Sequence, residues 1–263
     1  MSGGIALERH GAVARIVLDR PSVMNRFEGT MREELLDALE RVADDTGVRA
    51  VMITGGGDHF SAGADIEDLV ALHERGARDE IRRRVELGAA VVRRIRAMPK
   101  PVVAAVDGNA AGAGMNLALA CDVRVGSERA VFTESFVRIG LVPDWGGLHS
   151  LVHLVGAGRA ADLMMTARRL RAEEAERIGI LQRVFPVETF AADALGYTVG
   201  LAAGPTRALS TIKEGIRLAT DGALDAVLAL ERDAQPELFA GDDCLAGLRA
   251  FLAKEQPIFQ GRT

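Results

Sequence analysis

Cysteine is scarce: Cys121 and Cys244 are the only two in 263 residues. Two thiols cannot build a disulfide framework, and so sparse a use fits a reducing compartment. Cys121 sits in an apolar run and reads as a small core residue. A basic surplus is also missing. Lys and Arg number 32 against 37 Asp and Glu, a net charge of −5. That excludes a general nucleic-acid binder while leaving room for a local basic pocket. No apolar run is long enough to span a bilayer. The first residues, MSGGIALERHG, lack a basic segment followed by an apolar one, so no signal peptide is expected. Gly55-Gly56-Gly57 is not followed by the Lys-Ser/Thr of a phosphate loop, which argues against nucleotide hydrolysis. His149 and His153 stand four apart on an expected helix, but no third ligand or glutamate accompanies them. No metal site is therefore expected. These absences lead to the expectation of a cytoplasmic protein with neither nucleic acid nor membrane as partner.

What the chain does have is apolar material, 48% of its residues, enough for one large domain or two small ones. It is organised around residues 102–122, VVAAVDGNAAGAGMNLALACD. An apolar strand at 102–106 turns through Asp107-Gly108-Asn109. The small residues Ala110 to Gly114 follow, then an apolar helix. A strand feeding a small-residue turn and a helix N-terminus leaves backbone N–H groups free to face an anion. With so little side chain there, a ligand can lie against the backbone. A second turn of this kind, Ser61-Ala62-Gly63-Ala64-Asp65, follows the apolar strand at 48–54. If the two turns converge, their N–H groups form a two-donor oxyanion hole. The competing reading is that the small residues only allow close helix–sheet packing.

Elsewhere, residues 5–10 and 13–18 predict two strands joined at Gly11. Met31, Leu35, Leu36, Leu39 and Val42 predict a helix over 29–45. An Arg-rich amphipathic helix is expected over 71–98, interrupted near Gly76. Its Arg82-Arg83-Arg84 and Arg93-Arg94-Arg96 clusters read as solvated faces. After a strand at 182–185 the pattern is helical almost throughout, broken at Gly204-Pro205 and near Gly222 and Gly241. Strand–turn–helix units recurring at 13–45, 48–70 and 102–121 argue for an α/β core to about residue 195 with a helical tail.

HFSAGADI, VDGNAAGAGMNLALACD and GLVPDWGG, in this order and at this spacing, resemble the crotonase (enoyl-CoA hydratase/isomerase) superfamily over essentially the whole chain. The resemblance implies an α/β spiral of ββα units over 1–195. It implies a C-terminal helical trimerisation region over 196–263, in a homotrimer or a dimer of trimers. It also implies an acyl-CoA thioester as partner, coenzyme A being part of the substrate, with no cofactor required. The thioester carbonyl would sit between the N–H groups of Ala64 and Ala113. These donors would stabilise the enolate formed by removing the neighbouring proton.

By the same resemblance, Met24 and Asn25 match the loop at the CoA entrance. Arg26 would compensate for the basic residue that Ser22 replaces. Adenine would lie near Ala62, Asp65 and Ile66. Lys254 and Phe259 would reach a neighbouring subunit's CoA, although a solvated surface lysine is the plainer reading of Lys254. The two hydratase glutamates are replaced by Asn116, which can hold a water but cannot take its proton, and by Phe136. Glu134, two residues away, is a substitute base for a hydratase reading. Asp144 matches the base of the isomerase branches, FVRIGLVPD being most similar to epoxyphenylacetyl-CoA isomerases. Leu141, Val142, Pro143 and Trp145, itself read as pocket wall or core, would surround it with apolar groups and raise its pKa. The alternative for Asp144 is a helix N-cap. The expected function is an acyl-CoA isomerase. An enoyl-CoA hydratase and a non-catalytic acyl-CoA-binding protein are the alternatives.

Overall fold

The computed structural model describes residues 4–220, 222 and 224–261, with Phe251 by its backbone alone. Strands β1 (Ile5–His10) and β2 (Val13–Leu18) form an antiparallel hairpin, closed by Gly11 at φ +60°. A loop leads to α1 (Met31–Asp44), whose buried stripe is Met31, Leu35, Ala38, Leu39 and Val42. Next comes β3 (Ala50–Gly55), then α2 (Ile66–Glu74) and α3 (Arg78–Ala97). The break expected near Gly76 is there, with φ +63°, a conformation that favours glycine.

The organising stretch becomes β4 (Val102–Val106), β5 (Asn109–Ala111) and α4 (Ala113–Ala120). After it come β6 (Val123–Ser127), β7 (Val131–Thr133), a 3₁₀ turn Ser135–Ile139, α5 (Gly147–Val155) and α6 (Ala157–Thr166). The core closes with β8 (Leu170–Arg171), α7 (Ala172–Arg177), β9 (Arg183–Phe185) and α8 (Phe190–Ala202). The tail is α9 (Thr206–Thr220), α10 (Leu224–Phe239) and α11 (Asp242–Ala253).

The main sheet has the order β1-β2-β3-β4-β6-β9, parallel from β2 onward, and a small sheet runs β5-β7-β8. Because successive strand residues face opposite sides, β3 feeds two cores. Val51 and Ile53 join the larger one with α1, α3 and α4. Ala50 and Met52 meet Phe190, Ala194 and Ala202 of α8 on the other face. Burying each large side chain contributes about 1.5–3 kcal/mol. Helix α8 therefore belongs to the core and runs across the boundary expected at residue 195. The structural break lies after it, at Gly204-Pro205.

The tail is held differently. Neither α9 nor α10 buries a residue. Polar anchors do the holding: Arg49 donates to Gly204 O, Thr206 Oγ1 and Phe259 O at 2.6, 3.0 and 3.1 Å. Lys213 Nζ pairs with Asp122 at 2.8 Å and donates to Ile95 O at 2.7 Å.

Candidate active site

The parallel sheet sets β3 and β4 side by side, so the turns that leave their C-terminal ends meet. The bridge Ser61↔Ala110 stitches them together, and Phe27↔Ala64 ties the first turn to the loop before α1. Their approach is so close that a Cβ on Gly63 would lie 2.6 Å from Ala111 O and 3.3 Å from Ala113 N. One on Gly114 would lie 2.5 Å from Ser61 O. Gly63 (φ +86°) and Gly112 (φ +50°) also take left-handed conformations. The small residues permit this packing, and the packing brings the turns together.

The N–H groups around the turns are spent. Phe60 and Ser61 donate to Asn109 O, Ala62 to Met24 O, Ala111 to Ser61 O and Gly112 to Thr133 O. Gly63 N donates to Ser61 Oγ at 3.1 Å. Among the described turn, loop and cap hydrogen bonds, none is donated by Ala64 or Ala113. Ala113 opens α4, where the first N–H groups have no intrahelical acceptor. Both residues line one cavity of about 890 Å³.

Another part of the lining is made of side chains. Phe136, Leu141, Val142, Pro143, Asp144 and Trp145 line the same cavity. Trp145 (φ +48°) is 3% exposed and packs on Phe27 with ring centroids 4.7 Å apart. Asp144 caps no helix. The N-cap of α5 is Gly146, without a side-chain hydrogen bond, and Asp144 Oδ1 is buried with no partner. Burial pushes its pKa up to about 6, opposed by the positive charge of Arg32. The N-cap expectation is therefore replaced by a partly desolvated carboxyl facing the cavity.

Behind Asp144 lies a second layer. Asn116 is fully buried and donates from Nδ2 to Asp144 O at 3.0 Å. It holds the backbone of Asp144 and does not line the cavity. Glu134 is 1% exposed, and neither of its carboxyl oxygens has a hydrogen-bond partner among the described residues. Burial pushes its pKa up to about 8. The neighbouring Asn116 amide tempers the rise and the charge of Asp144 adds to it.

Met24, Arg26, Ala62, Asp65 and Ile66 also line the cavity. Asp65 is the N-cap of α2, accepting from Glu67 N at 3.0 Å, and pairs with Arg26 at 3.1 Å. Arg26 also pairs with Glu28 at 3.0 Å. Asn25 is a correction. Its side chain is fully buried, donates to Gly56 O and His59 O, and accepts from Arg20 N. It fixes the loop and offers nothing to a ligand. Lys254 and Phe259 do not reach this cavity within the chain. Phe259 lines a separate hollow among α9, α10 and α11.

Sequence reasoning missed two arginines of the cavity wall, Arg32 and Arg84. The signal for Arg32 was its place beside Met31 and three residues before Leu35, at the edge of the apolar stripe of α1. Arg84 was read as solvated, but it pairs with Asp68 and Glu80 over the cavity.

Comparison with known proteins agrees with this architecture. The sequence model of the family described as enoyl-CoA hydratase/isomerase matches residues 8–262. A Rhodobacter capsulatus protein named "Probable enoyl-CoA hydratase" is 40% identical over 258 residues, covering 98% of each chain. The 1,2-epoxyphenylacetyl-CoA isomerase of Escherichia coli is 37% identical over 251 residues, covering 95% of each. Among solved structures, an enoyl-CoA hydratase from a Polaromonas species superposes with a TM-score of 0.92 at 33% identity. That match covers 98% of this chain and 100% of the other.

Proposed function

Because the chain belongs to the enoyl-CoA hydratase/isomerase family, we propose that it is an acyl-CoA isomerase working through a thioester enolate. The thioester carbonyl accepts hydrogen bonds from Ala64 N and Ala113 N. The Asp144 carboxylate takes a proton from the α-carbon, and the electron pair moves onto the carbonyl oxygen. The two N–H donors are preorganised for that charge. Asp144, now protonated, returns the proton further along the allylic system, and the double bond or strained ring is rearranged. No atom is gained or lost.

The observation that carries this reading is the placement of Asp144. It is the cavity-lining carboxyl whose pKa is raised by burial, to about 6. A base poised near the working pH is the effective one. At the positions where the resemblance puts the two hydratase glutamates stand Asn116, which is not in the cavity wall, and Phe136, which cannot titrate. A panel of 3-enoyl-CoA and ring acyl-CoA thioesters tests the proposal by following double-bond migration. Full turnover by Asp144→Ala would remove Asp144 from its role.

A hydratase is the second reading, supported by the name of the Rhodobacter capsulatus relative and by buried Glu134. Crotonyl-CoA hydration at an ordinary enzyme rate would favour it. Tight thioester binding with no turnover, and no α-proton exchange in deuterated water, would favour a non-catalytic binder. The tail supports self-association. Ile212 and Ile216 on α9 are 57% and 63% exposed, an apolar face that a homotrimer would cover. Sedimentation equilibrium measures this directly.

A further inference from the structure

One group in the cavity wall has no place in the chemistry above. Arg32, in the first turn of α1, is only 6% exposed and lines the cavity. A guanidinium offers five N–H donors. Among the described residues one bond is made, from Nη1 to Phe27 O at 3.1 Å, and Nε is buried with no partner. The guanidinium carbon stands 5.6 Å from the centre of the Phe27 ring. No described carboxylate is bonded to it; the like charge of Arg84 and, opposing it, Asp144, Glu33 and Asp68 act on it only through space. Arg84, on the same wall, is the contrast. Asp68 and Glu80 both pair with it, so its charge is already balanced.

A buried, unbalanced guanidinium is costly. Arg32 is nevertheless part of the cavity lining, so a counter-charge can come from a ligand there. Its position says which part of the ligand. Phe27, beneath Arg32, packs against Trp145, and Asp144 feels its charge. Arg32 is thus at the proton-transfer end of the cavity, with the acyl chain. A planar fork of donors matches a carboxylate.

Taking the thioester reading as its basis, we propose that Arg32 is a specificity-determining residue that binds a carboxylate on the acyl chain. The substrate is then the mono-CoA thioester of a dicarboxylic acid. Asp144 remains the base, and Arg32 takes no part in the proton transfer.

The test uses unreactive saturated CoA thioesters of matched chain length, one ending in a carboxylate and one in a methyl group. Binding to the wild-type protein, Arg32→Met and Arg32→Lys is measured by calorimetry near pH 7.5. The wild type should favour the carboxylated thioester by roughly tenfold or more, the scale of one charge-assisted contact. Arg32→Met should abolish that preference and Arg32→Lys should keep part of it. Equal binding of both thioesters by the wild type overturns the inference, whether or not the variants fold. Equal weakening of both by Arg32→Met also overturns it, since the guanidinium would then serve a CoA phosphate or the fold. If Arg32→Met keeps the preference and only raises the lower apparent pKa of turnover, Arg32 merely tunes Asp144 and the inference again fails. Binding of neither thioester would sink the acyl-CoA reading itself, a result distinct from equal binding.

Discussion

The two walls of the cavity act by different means. The wall formed by the turns at Ala64 and Ala113 offers backbone N–H groups, fixed by glycines that let two chains nearly touch. The side-chain wall, from Phe136 to Trp145, offers one carboxyl in apolar surroundings. The first is indifferent to side-chain chemistry and sensitive to spacing. The second tolerates small shifts in spacing but depends on a single titratable group. In the proposed reaction, the charge assigned to the backbone donors and the proton assigned to Asp144 can therefore be perturbed separately.

The largest expected effect lies on the side-chain wall. Asp144→Asn should lower turnover by ~10²–10⁴-fold, the usual worth of a positioned acid–base group. Thioester affinity should stay within a few-fold; steady-state kinetics and calorimetry read the two. In the wild type, turnover should fall as pH drops through about 6, because protonation removes the base. A pH–rate profile that stays flat down to pH 4 would break the assignment.

On the backbone wall, Gly114→Ala would place a Cβ 2.5 Å from Ser61 O. Prising the turns apart should lower kcat by about 10²-fold, the cost of an ångström-scale misplacement. The melting temperature should fall as well. If kcat is unchanged while stability drops, the two turns are only packed together.

Glu134, which is not among the residues lining the cavity, sharpens the contrast. Its pKa is raised from 4.5 to about 8, so between those values the folded chain holds a proton that the unfolded chain has released. Stability is therefore lost as pH rises through that window. At about 1.36 kcal/mol per unit the loss is at most several kcal/mol. Urea unfolding from pH 5 to 9 should show this decline in the wild type and a flatter profile in Glu134→Gln. The smallest effect is expected for Ala113→Gly. The N–H is kept, so turnover should change less than about threefold, with a stability cost of about 0.5–1 kcal/mol.

The two walls were also unequally legible in the sequence. Glycines and alanines between an apolar strand and an apolar helix announce a close backbone approach, because few other contexts require them. The strands at 5–10, 13–18, 48–54, 102–106 and 182–185 were legible from their apolar runs; the order in which they pair was not. Asp144 is legible as a base, with a helix cap as the alternative, since capping and catalysis use the same residue types. Only the unbonded Oδ1 separates them. Arg32 escaped notice because an arginine in the first turn of an amphipathic helix looks solvated. Its burial comes from Phe27 and the cavity wall folding over it. The fate of Asn25 was hidden for a related reason, its partners Gly56 and His59 lying more than thirty residues on. The boundary at 195 failed because α8 looks like the tail helices in pattern, and only the apolar face of the sheet claims it.

Helix α3 carries one further consequence. Ile81 and Val85 line the cavity, Gly88 leaves the notch that receives Trp145, and Val92 meets Gly146. These four lie along one stripe at helical spacing. A Cβ at position 88 would sit 2.4 Å from the indole nitrogen, so this glycine sets how the loop bearing Asp144 seats. Ile81 is seven residues away, about 10 Å along the axis. The stripe thus behaves as a ruler with one fixed mark and two adjustable ones. Acyl-chain preference could drift at 81 and 85, or be engineered there, while the proton-transfer loop keeps its seat.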